Sequence, residues 1–222
     1  MSTNDLEITI RGERLALLPE RALLWVQQRT LLIADPHFGK AATFRAGGIP
    51  VPGGTTVDAL MRITSLLGRT GATRLIFLGD LLHAKEGRTT GLFDEIAAWR
   101  ASHSALEIIL VRGNHDKRAG DPPGDLNIEC VDAPALMSPF VLAHHPGSHV
   151  DGYLLAGHVH PGVRLYGSGG LRERLPCFVF GSDHAVLPAF GDFTGFAPFD
   201  PDDGADVYAV AGDAIIALGP NG

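Results

Sequence analysis

Five short apolar runs, each stopped by ionisable residues, constrain this 222-residue chain more than any other feature. Thr30–Ala34 ends in Asp35-Pro36-His37, Leu75–Leu78 in Gly79-Asp80-Leu81-Leu82-His83, and Leu106–Val111 leads to Gly113-Asn114-His115-Asp116. Phe140–Ala143 ends in His144-His145-Pro146, and Tyr153–Ala156 in Gly157-His158-Val159-His160. Runs of Leu, Ile, Val and Phe of this length read as buried strands, and in open α/β sheets ligands gather beyond the carboxyl ends of the strands. Seven of the ten histidines fall in these five places, a concentration that needs a chemical cause.

Segments with helical period separate the first three runs. Val57, Leu60, Met61, Thr64 and Leu67 make one stripe, with Thr55 and Asp58 spaced as a capping box; Leu92, Phe93, Ile96 and Trp99 make another. Strand, helix, strand, helix, strand implies parallel crossovers. Leu6–Ile10, Leu15–Leu18 and Ala22–Val26 read as strands before them. Val163–Tyr166, Cys177–Phe180 and His184–Leu187 follow, then a hairpin of Asp206–Val210 and Ala214–Leu218 turning at Ala211-Gly212-Asp213. The expected fold is α/β, a two-sheet sandwich with helices outside, in a single domain over residues 1–222. Gly167-Ser168-Gly169-Gly170 lacks the Lys-Ser/Thr and helix of a phosphate cradle and reads as a turn.

Cys130 and Cys177 lie far apart in no C-x-x-C pattern, which points to a reducing compartment, no disulfide framework and no thiolate metal site. With no signal-like N-terminus and no apolar run of spanning length, the expectation is a soluble cytoplasmic protein without a membrane partner.

The five clusters supply carboxylate, imidazole and amide donors, a set suited to Mn²⁺, Fe or Zn. Asp35 and His37, like His158 and His160, are spaced i, i+2; in extended backbone each pair would present both side chains on one side. Gathering so many ionisable groups without a metal would be costly.

Asp-x-His, Gly-Asp, Gly-Asn-His-Asp, a strand-end His and Gly-His-x-His, in this order over residues 30–161, resemble the calcineurin-like metallophosphoesterases. The resemblance implies a four-layer α-β-β-α sandwich and two divalent ions, most often Mn²⁺. It implies that Asp35, His37 and His160 hold the first ion and Asn114, His144 and His158 the second, with Asp80 bridging. His115 would then assist the leaving group. His83 departs from the family pattern, in which many members carry Asp there. His145, beside His144, is a rival for its role, and Asp116 either orients His115 or stabilises a turn.

A narrower resemblance extends over Phe38-Gly39-Lys40, Phe44–Gly53, Gly157–Arg164, Leu175-Pro176-Cys177-Phe178 and Leu187–Gly191. These segments look like the bacterial ligase-associated DNA damage response endonucleases, which implies an ATP-dependent DNA ligase, a helicase and an exonuclease as partners.

The expected function is therefore a binuclear phosphodiesterase, an endonuclease on DNA or RNA in DNA repair, in which a metal-bridging hydroxide attacks phosphorus. A small-molecule phosphomonoesterase or nucleotide pyrophosphatase, and a non-catalytic metal-dependent module, are the alternatives. Lys40, Arg45, His83 and Arg118 are candidate substrate contacts, in a set of loop basic residues that includes Lys85, Arg88, Lys117 and Arg164. His103, His149 and His184 read as surface or structural. The net charge of −7 argues against tight non-specific DNA coating, yet residues 181–222 hold seven Asp and no Lys or Arg, so residues 1–180 are neutral overall.

Overall fold

The structure, a computed structural model, describes residues 4–166, 172–192, 194–198 and 204–218. A seven-stranded sheet begins as an antiparallel meander of β1 (Leu6–Ile10), β2 (Glu13–Leu18), β3 (Ala22–Trp25) and β4 (Thr30–Ile33). Parallel to β4 and to one another, β5 (Arg74–Leu78), β6 (Glu107–Val111) and β7 (Glu129–Val131) complete it. Helices α1 (Lys40–Ala46) and α2 (Thr55–Thr70) join β4 to β5, α3 (Thr90–Ser102) joins β5 to β6, and α4 (Asn114–Ala119) follows β6.

The second sheet contains β8 (Ala135–Met137), β9 (Phe140–Leu142), β10 (Tyr153–Ala156), β11 (Pro161–Tyr166), β12 (Arg172–Phe180), β13 (His184–Val186) and β14 (Ala197–Pro198). Its order is β14-β11-β12-β13-β10-β9-β8, and the hairpin of β15 (Asp206–Ala211) and β16 (Ala214–Leu218) adds to β12. Ala211 pairs with Ala214, so Gly212-Asp213 alone makes the turn.

Strand alternation sorts the core. Leu31, Ile33, Leu75, Phe77, Ile108 and Leu110 pack under the helices, while Leu32, Ile76, Leu78 and Val111 face the second sheet. There they meet Phe140, Leu142, Leu155, Phe178 and Phe180. Burying an Ile or Leu of this kind contributes about 1.5–3 kcal/mol.

Two helix expectations are corrected. The buried stripe of α2 is Thr56, Ala59, Leu60, Ile63, Leu66 and Leu67, whereas Val57 and Met61 are exposed, because the helix sits rotated toward Ala59 and Ile63. Its N-cap is Gly54 in the left-handed region, which places Thr55 inside the helix and leaves no capping box. On α3, Leu92 and Ile96 are buried while Phe93 and Trp99 are only partly so, and Thr89 caps the helix by accepting the Leu92 N–H. The buried apolar residues of α2, α3 and α4 all join the layer on the first sheet, as expected of a two-sheet α/β sandwich with helices outside. The Gly167–Gly170 turn lies outside the described residues. No described helix is long and apolar enough to cross a membrane.

Candidate metal centre

Every ionisable cluster named from the sequence follows a strand and lies along one edge of the sandwich. Asp35 and His37 follow β4, Asp80 follows β5, Asn114 and His115 open α4, His144 follows β9, and His158 and His160 follow β10. Their donor atoms converge in overlapping groups: Asp35, His37 and His160; Asp35, Asp80 and His144; His144, His145 and His158; and His37, His83 and His115, each within 4.8 Å of one another.

Backbone, more than rotamer, aims these side chains. Asp35, His37, Asp80, His158 and His160 all have φ between 49° and 69°, so the extended backbone expected for the i, i+2 pairs is replaced by left-handed turns. Non-glycine residues pay for this conformation in strain, and five of them occur in one cluster. Three glycines make room for it. A Cβ on Gly79 would lie 2.1 Å from His144 Nδ1, on Gly113 2.2 Å from Asp80 Oδ1, and on Gly157 2.5 Å from Asp35 Oδ2. The sequence shows these glycines beside the candidate ligands, but not that each clears a side chain from another motif.

Hydrogen bonds fix which atoms remain for a ligand. Asp35 Oδ2 accepts the His158 N–H at 2.8 Å, while Asp35 Oδ1 is buried with no hydrogen-bond partner. Asp80 Oδ1 accepts the His115 N–H at 2.9 Å, and Asp80 Oδ2 stands 3.4 Å from His144 Nε2, 3.9 Å from His115 Nε2 and 4.0 Å from His37 Nε2. His144 Nδ1 donates to the Leu78 carbonyl at 3.0 Å. His144 Nε2 faces Asn114 Oδ1 at 2.9 Å and His158 Nδ1 at 3.0 Å. Burial lowers the His144 pKa, but the hydrogen bond to Asp80 and the charges of Asp35 and Asp80 raise it overall, so the metal-free ring favours a proton that a bound ion would displace.

An orphaned buried carboxylate oxygen and a convergence of lone pairs are both costly in a dry site, and a divalent cation satisfies both. The residues present fit such ions. Burial lowers the His37 pKa to about 2, against the pull of Asp80, so this imidazole is neutral and available as a ligand. Burial pushes Asp80 up, but the hydrogen bond and charge of His144 and the His115 N–H hold it down at about 2. Burial also lowers His158, and lowers His145 with help from His144.

His144 is buried, whereas His145 is exposed, its ring 4.0 Å from that of His158. His83 stacks on His115 with centroids 5.0 Å apart, and its Nδ1 is 3.4 Å from His37 Nδ1. Burial and Lys40 lower its pKa to about 4. His115 Nδ1 donates to the His83 carbonyl at 2.6 Å, which turns Nε2 toward Asp80. Asp116 accepts the Leu82 and Gly113 N–H groups at 3.0 and 2.9 Å, a turn-stabilising part rather than an orienting one.

The basic candidates differ among themselves. Lys40 is half-buried, with Nζ 5.8 Å from the centroid of Phe44. Arg45 donates to the Val51 and Pro52 carbonyls at 3.4 and 3.3 Å and so ties down the Pro-rich loop. Arg88 is likewise committed to the Gly120 and Asp121 carbonyls. Arg118 is exposed, one turn beyond Asn114 on α4.

A crystal structure of a Pseudomonas putida nuclease, MPE, is similar over 97% of this chain and 100% of its own, with 40% identity and a TM-score of 0.85. The chain belongs to this metallophosphoesterase nuclease family. A phosphoesterase from E. coli, Yfce, aligns over 86% of this chain and 99% of its own at 18% identity, with a TM-score of 0.43 too low to argue from. No family model and no curated protein matches the chain. As a member of the metallophosphoesterase nucleases the chain is a hydrolase of phosphoester bonds.

Proposed function

We propose that the chain is a binuclear metal-dependent phosphodiesterase that cleaves nucleic acid internally. In this reading Asp35, His37 and His160 would hold one ion and Asn114, His144 and His158 the other, with Asp80 serving both. The observation that carries it is the position of Asp80 Oδ2, free of backbone hydrogen bonds and within 4.0 Å of the inward nitrogens of His37, His115 and His144. When bound, two divalent ions supply an activated water and neutralise the charge that develops on the phosphoryl oxygens.

The chain's own residues do the rest. Asp35 and Asp80 bring two buried negative charges, each steadied by one backbone N–H from another motif. His144, oriented by the Leu78 carbonyl, would turn its Nε2 to an ion that displaces the proton its neighbours Asp80 and Asp35 favour. His115, oriented by the His83 carbonyl, holds a proton at Nε2 for the departing oxygen, a contribution of about 10²–10⁴-fold. Mn²⁺ suits the nitrogen and oxygen donors, with Fe and Zn as alternatives.

The 40% identity to a nuclease and the segments shared with ligase-associated endonucleases support DNA as substrate and DNA repair in the cytoplasm as setting. An ATP-dependent DNA ligase, a helicase and an exonuclease would be the partners. The test is metal-loaded protein assayed on bis-p-nitrophenyl phosphate and on single- and double-stranded nucleic acid. Internal cleavage of a circular strand is the expected result. Hydrolysis of the small ester with every nucleic acid left intact would overturn the nuclease reading.

A further inference from the structure

Resting on the nuclease reading, we propose that Arg164 and Arg174 form a phosphate clamp that holds the nucleic-acid strand about four nucleotides from the scissile phosphate. The two residues face each other directly in the antiparallel pairing of β11 with β12. Side chains so placed have Cβ atoms about 4.5–5.5 Å apart, and like charges directly opposite are destabilising. Both are exposed, and among the described residues neither has a hydrogen-bond or ion-pair partner.

That is unusual for arginine in this chain. Arg14, Arg21, Arg62, Arg69, Arg74 and Arg112 are paired with carboxylates, and Arg29, Arg45, Arg88 and Arg100 are bound to backbone carbonyls. Six arginines thus have a carboxylate and four a backbone carbonyl, whereas this opposed pair, like Arg11 and Arg118, has neither among the described residues.

Position gives the pair its ligand. Strand alternation puts Arg174 on the same face of β12 as Phe178 and Phe180, which belong to the core between the sheets. Cys177 and Val179, on the other face, join a separate cluster with Val207. The inner face of the second sheet thus continues beyond its apolar part as arginine, solvated where a partner sheet would demand apolar residues. Strand β11 starts at Pro161, immediately after His160, so Arg164 lies at most about 13 Å along the chain from that histidine at ~3.3 Å per residue. At ~3.4 Å per nucleotide of a stacked strand, that reach spans about four nucleotides. A polyanion passing from the metal centre along β11 meets both guanidinium groups, each able to grip a phosphate in bidentate fashion.

The experiment compares Arg164→Gln, Arg174→Gln, the double variant and Arg174→Glu, all metal-loaded, with the parent. Affinity for a single-stranded oligonucleotide is measured against salt concentration, and bis-p-nitrophenyl phosphate hydrolysis and Tm are followed in parallel. The slope of log K against log salt is expected to fall by about 0.7 per arginine removed, with small-ester hydrolysis unchanged. Arg174→Glu, which creates an opposite-charge pair with Arg164, is expected to keep or raise Tm while weakening the oligonucleotide most. Unchanged salt slopes in variants of a parent that cleaves nucleic acid overturn the clamp and leave the nuclease reading standing. A parent that hydrolyses the small ester but binds no strand overturns both.

Discussion

Gly113 and Asp80 meet so closely that a Cβ on the glycine would lie 2.2 Å from Asp80 Oδ1 and 2.6 Å from its backbone nitrogen. The φ of Gly113 is −91°, which any residue adopts, so the constraint there is space and not conformation. Gly113→Ala is therefore expected to displace Asp80, cost about 1–3 kcal/mol of stability and lower bound metal. Denaturant unfolding and elemental analysis check both effects. A variant with parental metal content would show that Asp80 does not need this gap.

Asp35 carries the other half of the argument. Asp35→Asn removes the charge whose Oδ1 is buried without a hydrogen bond, and it can keep the His158 N–H bond through its amide oxygen. In metal-free protein the change is expected to leave Tm equal or higher, since a buried charge with no hydrogen bond on Oδ1, and no histidine nitrogen nearer to it than 3.7 Å, is gone. With Mn²⁺ present the order reverses, because the parent gains stability from bound ion and the variant gains less. Thermal scans with and without chelator test the crossing; a variant stabilised by Mn²⁺ as much as the parent would refute it.

For His115→Ala the discriminating variable is the leaving group. Nitrophenolate departs without a proton, whereas a nucleotide alkoxide needs one, so cleavage of nucleic acid is expected to fall about 10²–10⁴-fold and small-ester hydrolysis far less. Metal content should not change. Equal losses on both substrates would remove His115 from the acid role.

Acid sensitivity of the metal-free protein follows from the depressed histidines. His37 falls from 6.5 to about 2 and His83 from 6.5 to about 4 on folding. Below pH 6.5 the unfolded chain takes up protons at these positions that the folded rings refuse, so stability drops as pH falls. For His37 the loss continues toward pH 2, and for His83 it ends near pH 4. Each contributes a slope of at most ~1.4 kcal/mol per pH unit, and His37→Gln is expected to flatten the profile between pH 6.5 and 4. Urea titrations across that range measure it.

Much of the centre was legible because strand ends announce themselves: an apolar run that stops at Asp or His fixes where the side chain emerges. Run length and alternation likewise disclosed the parallel β4-β5-β6 core and the final hairpin. The face of α2 was misread because Val57 and Met61 match the helical period as well as Ala59 and Ile63 do, and only packing against the sheet chooses between them. Short α1 and α4 carry too few apolar positions to show a period. The left-handed turns at Asp35, His37, Asp80, His158 and His160 were invisible, since Asp and His visit positive φ more readily than most side chains but nothing local says which of them do. Nor does sequence show that Arg45 Nη1 donates to the Val51 and Pro52 carbonyls of its own loop.

Asp35, Asp80 and Asn114 emerge from the first sheet, and His144, His158 and His160 from the second. In the proposed arrangement each ion draws on both sheets, one through Asp35 and His37 with His160 and the other through Asn114 with His144 and His158, so on that reading hydrolytic competence arrives only when the two halves dock. If the proposed ligand sets hold, the chain has in effect an interlock: a partly folded or proteolytically split molecule would be harmless to nucleic acid. Two fragments divided between β7 and β8, at Asp132–Pro134, would regain activity only on reassociation.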